Sequence, residues 1–172
     1  MAVSRAVLPH MRARKSGVIG NMGSALGWKG TIACGWYCAT KFAMAGLSES
    51  LRDETKHLGI QVVAIEPGHF RTNFLSPGHR FAAKNVIDDL KPAVDPLRGV
   101  FNAYDQHQPG DPVKGAALIV EALTGRGRCA GKTLPARLLL GSDAVKLVEE
   151  VISQGTKSLD EWRDLSLSTD HA

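Results

Sequence analysis

Tyr37 and Lys41 stand four residues apart in Tyr37-Cys38-Ala39-Thr40-Lys41. They open a segment, residues 37–57, that carries Ala43, Leu47 and Leu51 at helical spacing. Positions i and i+4 share a helix face, so the phenol and the ammonium lie side by side. A free tyrosine, with a pKa of about 10, is a poor base near neutrality. A neighbouring cation favours the phenolate. Bringing the pKa to about 7 takes roughly 4 kcal/mol of differential stabilisation. One lysine in water does not supply that much, so a second, bound cation in a partly dry site must supply the rest. A tyrosine so placed can pass a proton to or from an alcohol.

The elements that must hold this pair can be read around it. Ser24 follows residues 17–21, Gly-Val-Ile-Gly-Asn, a short buried-strand pattern that runs into a glycine-rich loop. Parallel α/β sheets bind ligands beyond the carboxyl ends of their strands. Ser24 therefore stands where a hydroxyl can hydrogen-bond a substrate carbonyl. Taken singly, a Tyr-x-x-x-Lys pair occurs in many helices and a serine after a strand is ordinary turn chemistry. Two further strand patterns, residues 61–66 and 137–140, complete a three-strand α/β reading.

Three motifs in order carry a family resemblance. Asn21-Met22-Gly23-Ser24-Ala25-Leu26-Gly27 resembles the Asn-x-Ser-Ser-x-x-Gly stretch of the short-chain dehydrogenase/reductase family, with Gly23 in place of a serine that is not the catalytic one. Tyr37 to Ala43 resembles its Tyr-x-x-x-Lys helix start, and Pro67-Gly68-His69-Phe70-Arg71-Thr72 its Pro-Gly-x-x-x-Thr segment. The likeness runs to about Leu147 and is to the carboxyl-terminal part of that family. It implies an incomplete Rossmann-like, doubly wound parallel sheet: the last three strands with their helices. It also implies an alcohol–carbonyl oxidoreductase using NAD or NADP, with Ser24, Tyr37 and Lys41 catalytic. Tyr37, Lys41, Pro67, Gly68, Phe70 and Thr72 would then lie against the cofactor. The family's glycine-rich cofactor turn and its relay asparagine are expected before Met1. Pairing of two copies through the 37–57 helix is implied as well, so a catalytically silent interaction module is the alternative reading.

Composition excludes more than it assigns. With 44% apolar and 22% charged residues, the 172-residue chain suits one domain with a core. The formal charge of +4 is uneven, because residues 1–48 hold six Lys or Arg and no acid. No aromatic residue interleaves Arg5, Arg12, Arg14 and Lys15, so a solvated helix end is preferred to a nucleic-acid patch or a transit peptide. Cys34, Cys38 and Cys129 form no C-x-x-C pair, and no metal-ligand spacing occurs, which points to a reducing, cytoplasmic setting without a metal. No apolar run is long enough to span a membrane. Gly23-x-x-x-Gly27-x-x-Gly30 and Gly127 to Thr133 each miss a nucleotide-loop spacing.

For the rest, residues 1–152 are expected to form the domain and 153–172 a loose polar tail anchored by Trp162. Residues 1–15 read as a helix with Val3, Val7, Leu8 and Met11 inward and a kink or stop near His10, caused by Pro9. A short helix is expected over residues 82–90. Asp111 and Pro112 start a helix through Leu123 that packs Val113, Ala117 and Val120. Gly141-Ser142-Asp143 caps a last helix through Ile152. His69 and His79 are assigned no partner and no role.

Overall fold

The computed structural model describes residues 2–76, 78–79 and 84–171, with the Arg98 side chain left out. Three parallel strands form one sheet in the order β1 (Gly17–Met22), β2 (Ile60–Pro67), β3 (Arg137–Leu140). Gly17 pairs with Ile60 and Met22 with Ile65, while Ala64 pairs with Arg137 and Pro67 with Leu140. The doubly wound α/β expectation holds, with strand ends within a residue of those read from the pattern. Among the described residues the outer side of β1 has no strand beside it.

The pleat sorts β2 into two faces. Ile60 and Val62, with Ile19 of β1, pack against Val7, Leu8 and Met11 of helix α1 (Ala2–Arg14) and Leu51 of helix α2 (Gly35–Thr55). Val63 and Ile65, with Leu134 and Leu140, pack against Leu118, Ile119, Ala122 and Leu123 of helix α4 (Pro112–Thr124). Helix α3 (Lys91–Tyr104) precedes α4, and helix α5 (Ser142–Leu167) follows β3.

Several local expectations need correction. Helix α1 runs through Pro9 without stopping, because Val7, Leu8 and Met11 are held on the sheet from both sides of the proline. Val3 is 75% exposed and takes no part in that packing. Pro9 is exposed and still lacks an amide hydrogen, so Pro9→Ala is expected to stabilise the chain by about 1–3 kcal/mol in urea unfolding. In the 82–90 stretch, Ala82 and Ala83 lie outside the described residues. The rest holds only a 3₁₀ turn, Asp88–Leu90. The helix comes later as α3, whose Pro92 and Pro96 masked it. Asp111 caps α4 as read, accepting from Val113 N at 2.8 Å and Lys114 N at 3.2 Å. The buried face of α4 is nevertheless the other one: Val113 and Val120 are exposed, as is Ala117.

Helix α5 does not end at Ile152 but continues to Leu167, so most of the supposed loose tail is helix, and Trp162 is 58% exposed rather than an anchor. A stretch that is polar on most sides can still satisfy its backbone as helix. No side chain caps the start of α5. The Asp143 carboxylate is turned elsewhere.

Candidate active site

Helix α2 is fixed to the end of β1 at two points. Asn21 Nδ2 donates to Ser48 Oγ at 3.0 Å, and Lys41 Nζ donates to the Met22 carbonyl at 3.1 Å. Of the helically spaced Ala43, Leu47 and Leu51, the first two are exposed and Leu51 packs on the sheet, while Cys38, Ala45, Ser48 and Thr55 are buried. The small residues Ala45 and Ser48 let the helix lie close to β2. Phe42 and Leu47 remain 47% and 43% exposed on the outer side.

This docking sets the Tyr37–Lys41 pair. Lys41 Nζ lies 5.5 Å from the centroid of the Tyr37 ring, so the predicted side-by-side arrangement is present. Burial pushes the Lys41 ammonium below its ordinary value of 10.5. With one donor spent on Met22, Lys41 keeps two N–H groups. No hydrogen bond engages the Tyr37 hydroxyl among the described residues. Ser24 is buried just past β1, where its Oγ accepts from Leu26 N at 3.2 Å and caps the 3₁₀ turn Ala25–Gly27. A hydroxyl that accepts a cap bond still has its own proton to donate.

The β2 end is more heavily braced than its sequence suggested. Gly68 N donates to the Leu140 carbonyl at 2.8 Å, and His69 N to Asp143 Oδ2 at 2.7 Å. The His69 ring meets the same oxygen through Nδ1 at 2.9 Å and stands edge-on to Tyr104 at 5.1 Å. Burial and the Asp143 charge push the Tyr104 phenol up. His69 thus has a partner that sequence reasoning missed. The 74-residue separation offers no local signal, and Asp143 reads by itself as a helix cap. A side chain on Gly68 would strike the Asp143 carboxylate. Gly68→Ala is therefore expected to cost about 1–3 kcal/mol, a fall in melting temperature of about 2–12 °C for a chain of this size.

The remaining predicted contacts divide. The Phe70 ring packs on the core beside Gly110, Gly115 and Gly141 and stays partly exposed. Thr72 is exposed, and its Oγ1 accepts from Phe74 N at 3.3 Å. That turn carries the Phe74 ring to 6.2 Å from the Tyr37 ring, bringing the segment after β2 beside that tyrosine. The uncommitted donors of Lys41, the free Tyr37 hydroxyl and the exposed Thr72 hydroxyl fit the nicotinamide and ribose end of a dinucleotide. Among the described residues no three His, Cys, Asp or Glu side chains gather to hold a metal ion, and no helix is long and apolar enough to cross a membrane.

Known proteins share both sequence and shape with this chain. The profile of the family described as short chain dehydrogenase matches residues 1–80. An oxidoreductase of Botryotinia fuckeliana is 30% identical over 97% of this chain and 58% of its own length. An NADP-dependent 3-hydroxy acid dehydrogenase of Schizosaccharomyces pombe is 32% identical over 73% of this chain and 43% of its own. The chain thus spans about half the length of the curated relatives it matches. The crystal structure of a short-chain dehydrogenase from Streptomyces avermitilis superposes with a TM-score of 0.82 at 38% identity, covering 98% of this chain and 58% of that one. A likeness that joins motif order, sheet and sequence has one reading, that this chain belongs to the short-chain dehydrogenase/reductase family.

Proposed function

We propose that the chain serves an NAD(P)-dependent oxidoreductase that interconverts an alcohol and a ketone or aldehyde. The observation that carries this reading is the Lys41 bond to Met22, which holds the Tyr37–Lys41 pair beside the Ser24 loop at the carboxyl end of β1. When bound, the dinucleotide supplies or accepts the hydride. Tyr37 gives its proton to the substrate oxygen during reduction and takes it back during oxidation. Lys41 favours the phenolate through its charge and directs its spare N–H groups to the nicotinamide ribose. Ser24 donates its proton to the same substrate oxygen and fixes its position. Pro67, Gly68, Phe70 and Thr72 line the side where the nicotinamide would lie.

The test is consumption of NADH and of NADPH by the purified chain across a panel of ketones, aldehydes and secondary alcohols, which also decides between the two cofactors. Turnover should lose its alkaline limb early. As pH rises, the partly buried Lys41 sheds its proton before a free lysine does, so the fall of kcat/KM is expected to begin below 10.5.

A second reading rests on a separate observation. The exposed Phe42 and Leu47 on α2, together with the β1 edge that no strand covers among the described residues, suit a non-catalytic module that pairs with a second copy. Light scattering that finds a dimer with no cofactor turnover would favour it. Three free thiols suit a reducing compartment such as the cytoplasm.

A further inference from the structure

Glu66 is fully buried near the end of β2, and its carboxylate is the centre of a bracket that reaches the Ser24 loop. Arg137, the first residue of β3, pairs with it at 2.7 Å through Nη2 and at 2.9 and 3.0 Å through Nε. The Trp28 indole donates to Glu66 Oε2 at 2.7 Å, and the Arg137 guanidinium stacks 3.7 Å over that indole. Arg137 Nη2 also donates to the Gly27 carbonyl at 3.0 Å. Gly27 in turn sits tightly against α2, since a Cβ there would lie 3.0 Å from the Lys41 carbonyl. Gly23 is confined in the same way, between Glu66 Cγ at 3.1 Å and the Ile65 carbonyl at 3.2 Å. One guanidinium therefore touches the loop that carries Ser24, and that loop is packed on the turn of α2 that carries Lys41.

We infer that Arg137, acting with Glu66 and Trp28, is a positioning residue that holds the Ser24 loop in register with Tyr37 and Lys41. The inference rests on the oxidoreductase reading for its catalytic meaning and on geometry for the rest. Arginine suits the task because its planar fork binds a carboxylate on one edge, reaches a carbonyl on the other and stacks through its face. A lysine keeps the charge opposite Glu66 but offers neither fork nor face.

Arg137→Lys and Trp28→Phe test this in the full chain. The first keeps Glu66 neutralised, and the second keeps the ion pair and loses only the indole bond and part of the stack. Hydrogen exchange across residues 24–28 is expected to quicken about tenfold in both variants, while residues 62–65 stay as protected as in the parent. Turnover of a carbonyl substrate is expected to fall by about tenfold to about a hundredfold with KM little changed. Exchange at 24–28 that matches the parent would overturn the inference. So would equal loosening of 62–65, or a raised KM at constant kcat, because each describes a bracket that merely supports the fold or the binding surface. A parent chain with no turnover counts against the oxidoreductase reading alone, since the exchange comparison needs no substrate.

Discussion

Tyr37→Phe is expected to cut carbonyl reduction by about a hundredfold to ten-thousandfold, the range usually lost with a general acid. Stability should move by no more than about 0.5 kcal/mol, as for substitutions that break no buried contact. The ring, its contact with Phe74 and its place under Lys41 all survive the change. Only the hydroxyl goes, and among the described residues nothing hydrogen-bonds it. Cofactor oxidation and thermal unfolding, measured on the same preparation, check both halves. A phenylalanine variant that works as fast as the parent would remove the phenol from the chemistry and leave the family's fold without its family's reaction.

Arg137→Met is expected to be the costliest single change for stability, at about 3–5 kcal/mol. It leaves the Glu66 carboxylate, fully buried, with the Trp28 indole as its remaining side-chain partner. A folded domain has only about 5–15 kcal/mol in hand, so this variant should unfold at markedly lower urea. The double variant Glu66→Met with Arg137→Met should recover most of the loss, because a buried ion pair replaced as a unit by apolar side chains is often neutral. Two equilibrium unfolding curves decide it: a single variant as stable as the parent would mean that water reaches Glu66.

The parts of this molecule legible in its sequence are those encoded locally. Val18-Ile19 and Val62 to Ile65 have the β-branched, uncharged pattern of strands covered on both faces, and they are the strands. The Tyr37–Lys41 pair is a four-residue spacing and needs nothing beyond a helix to be realised. Failures came where the outcome depends on what packs against an element. Ala43 and Leu47 share the spacing of Leu51, yet only Leu51 packs on the sheet, while Ala45 and Ser48 are buried and Ala43 and Leu47 stay exposed. Pro9 and Pro96 argue against helix by themselves and are overruled by the turns on either side. The polar run after Ile152 reads as loose from its composition, although burial is not a condition for helix. The two ion pairs that brace the site, Glu66 with Arg137 and His69 with Asp143, join residues 71 and 74 positions apart, and their partners are met only in the folded sheet. The Ser24 cap is the reverse case: the serine serves a local turn, and its hydroxyl proton is left over for the proposed chemistry, so the ordinary reading and the functional one do not compete.

Among the described residues no strand lies on the outer side of β1, and that edge would also limit how copies of this 172-residue chain could join. Two such strands related by a two-fold axis would run antiparallel and finish the assembly at a pair, with no growing end left over. Seating the β1 edge of one copy against the β3 edge of the next would instead keep the strands parallel and repeat without closure, as a filament does. The six residues of β1 and the four of β3 present ladders of unequal length. A self-matched pair would leave no ladder position unmatched, whereas a β1-to-β3 pair would leave two residues of β1 without a partner.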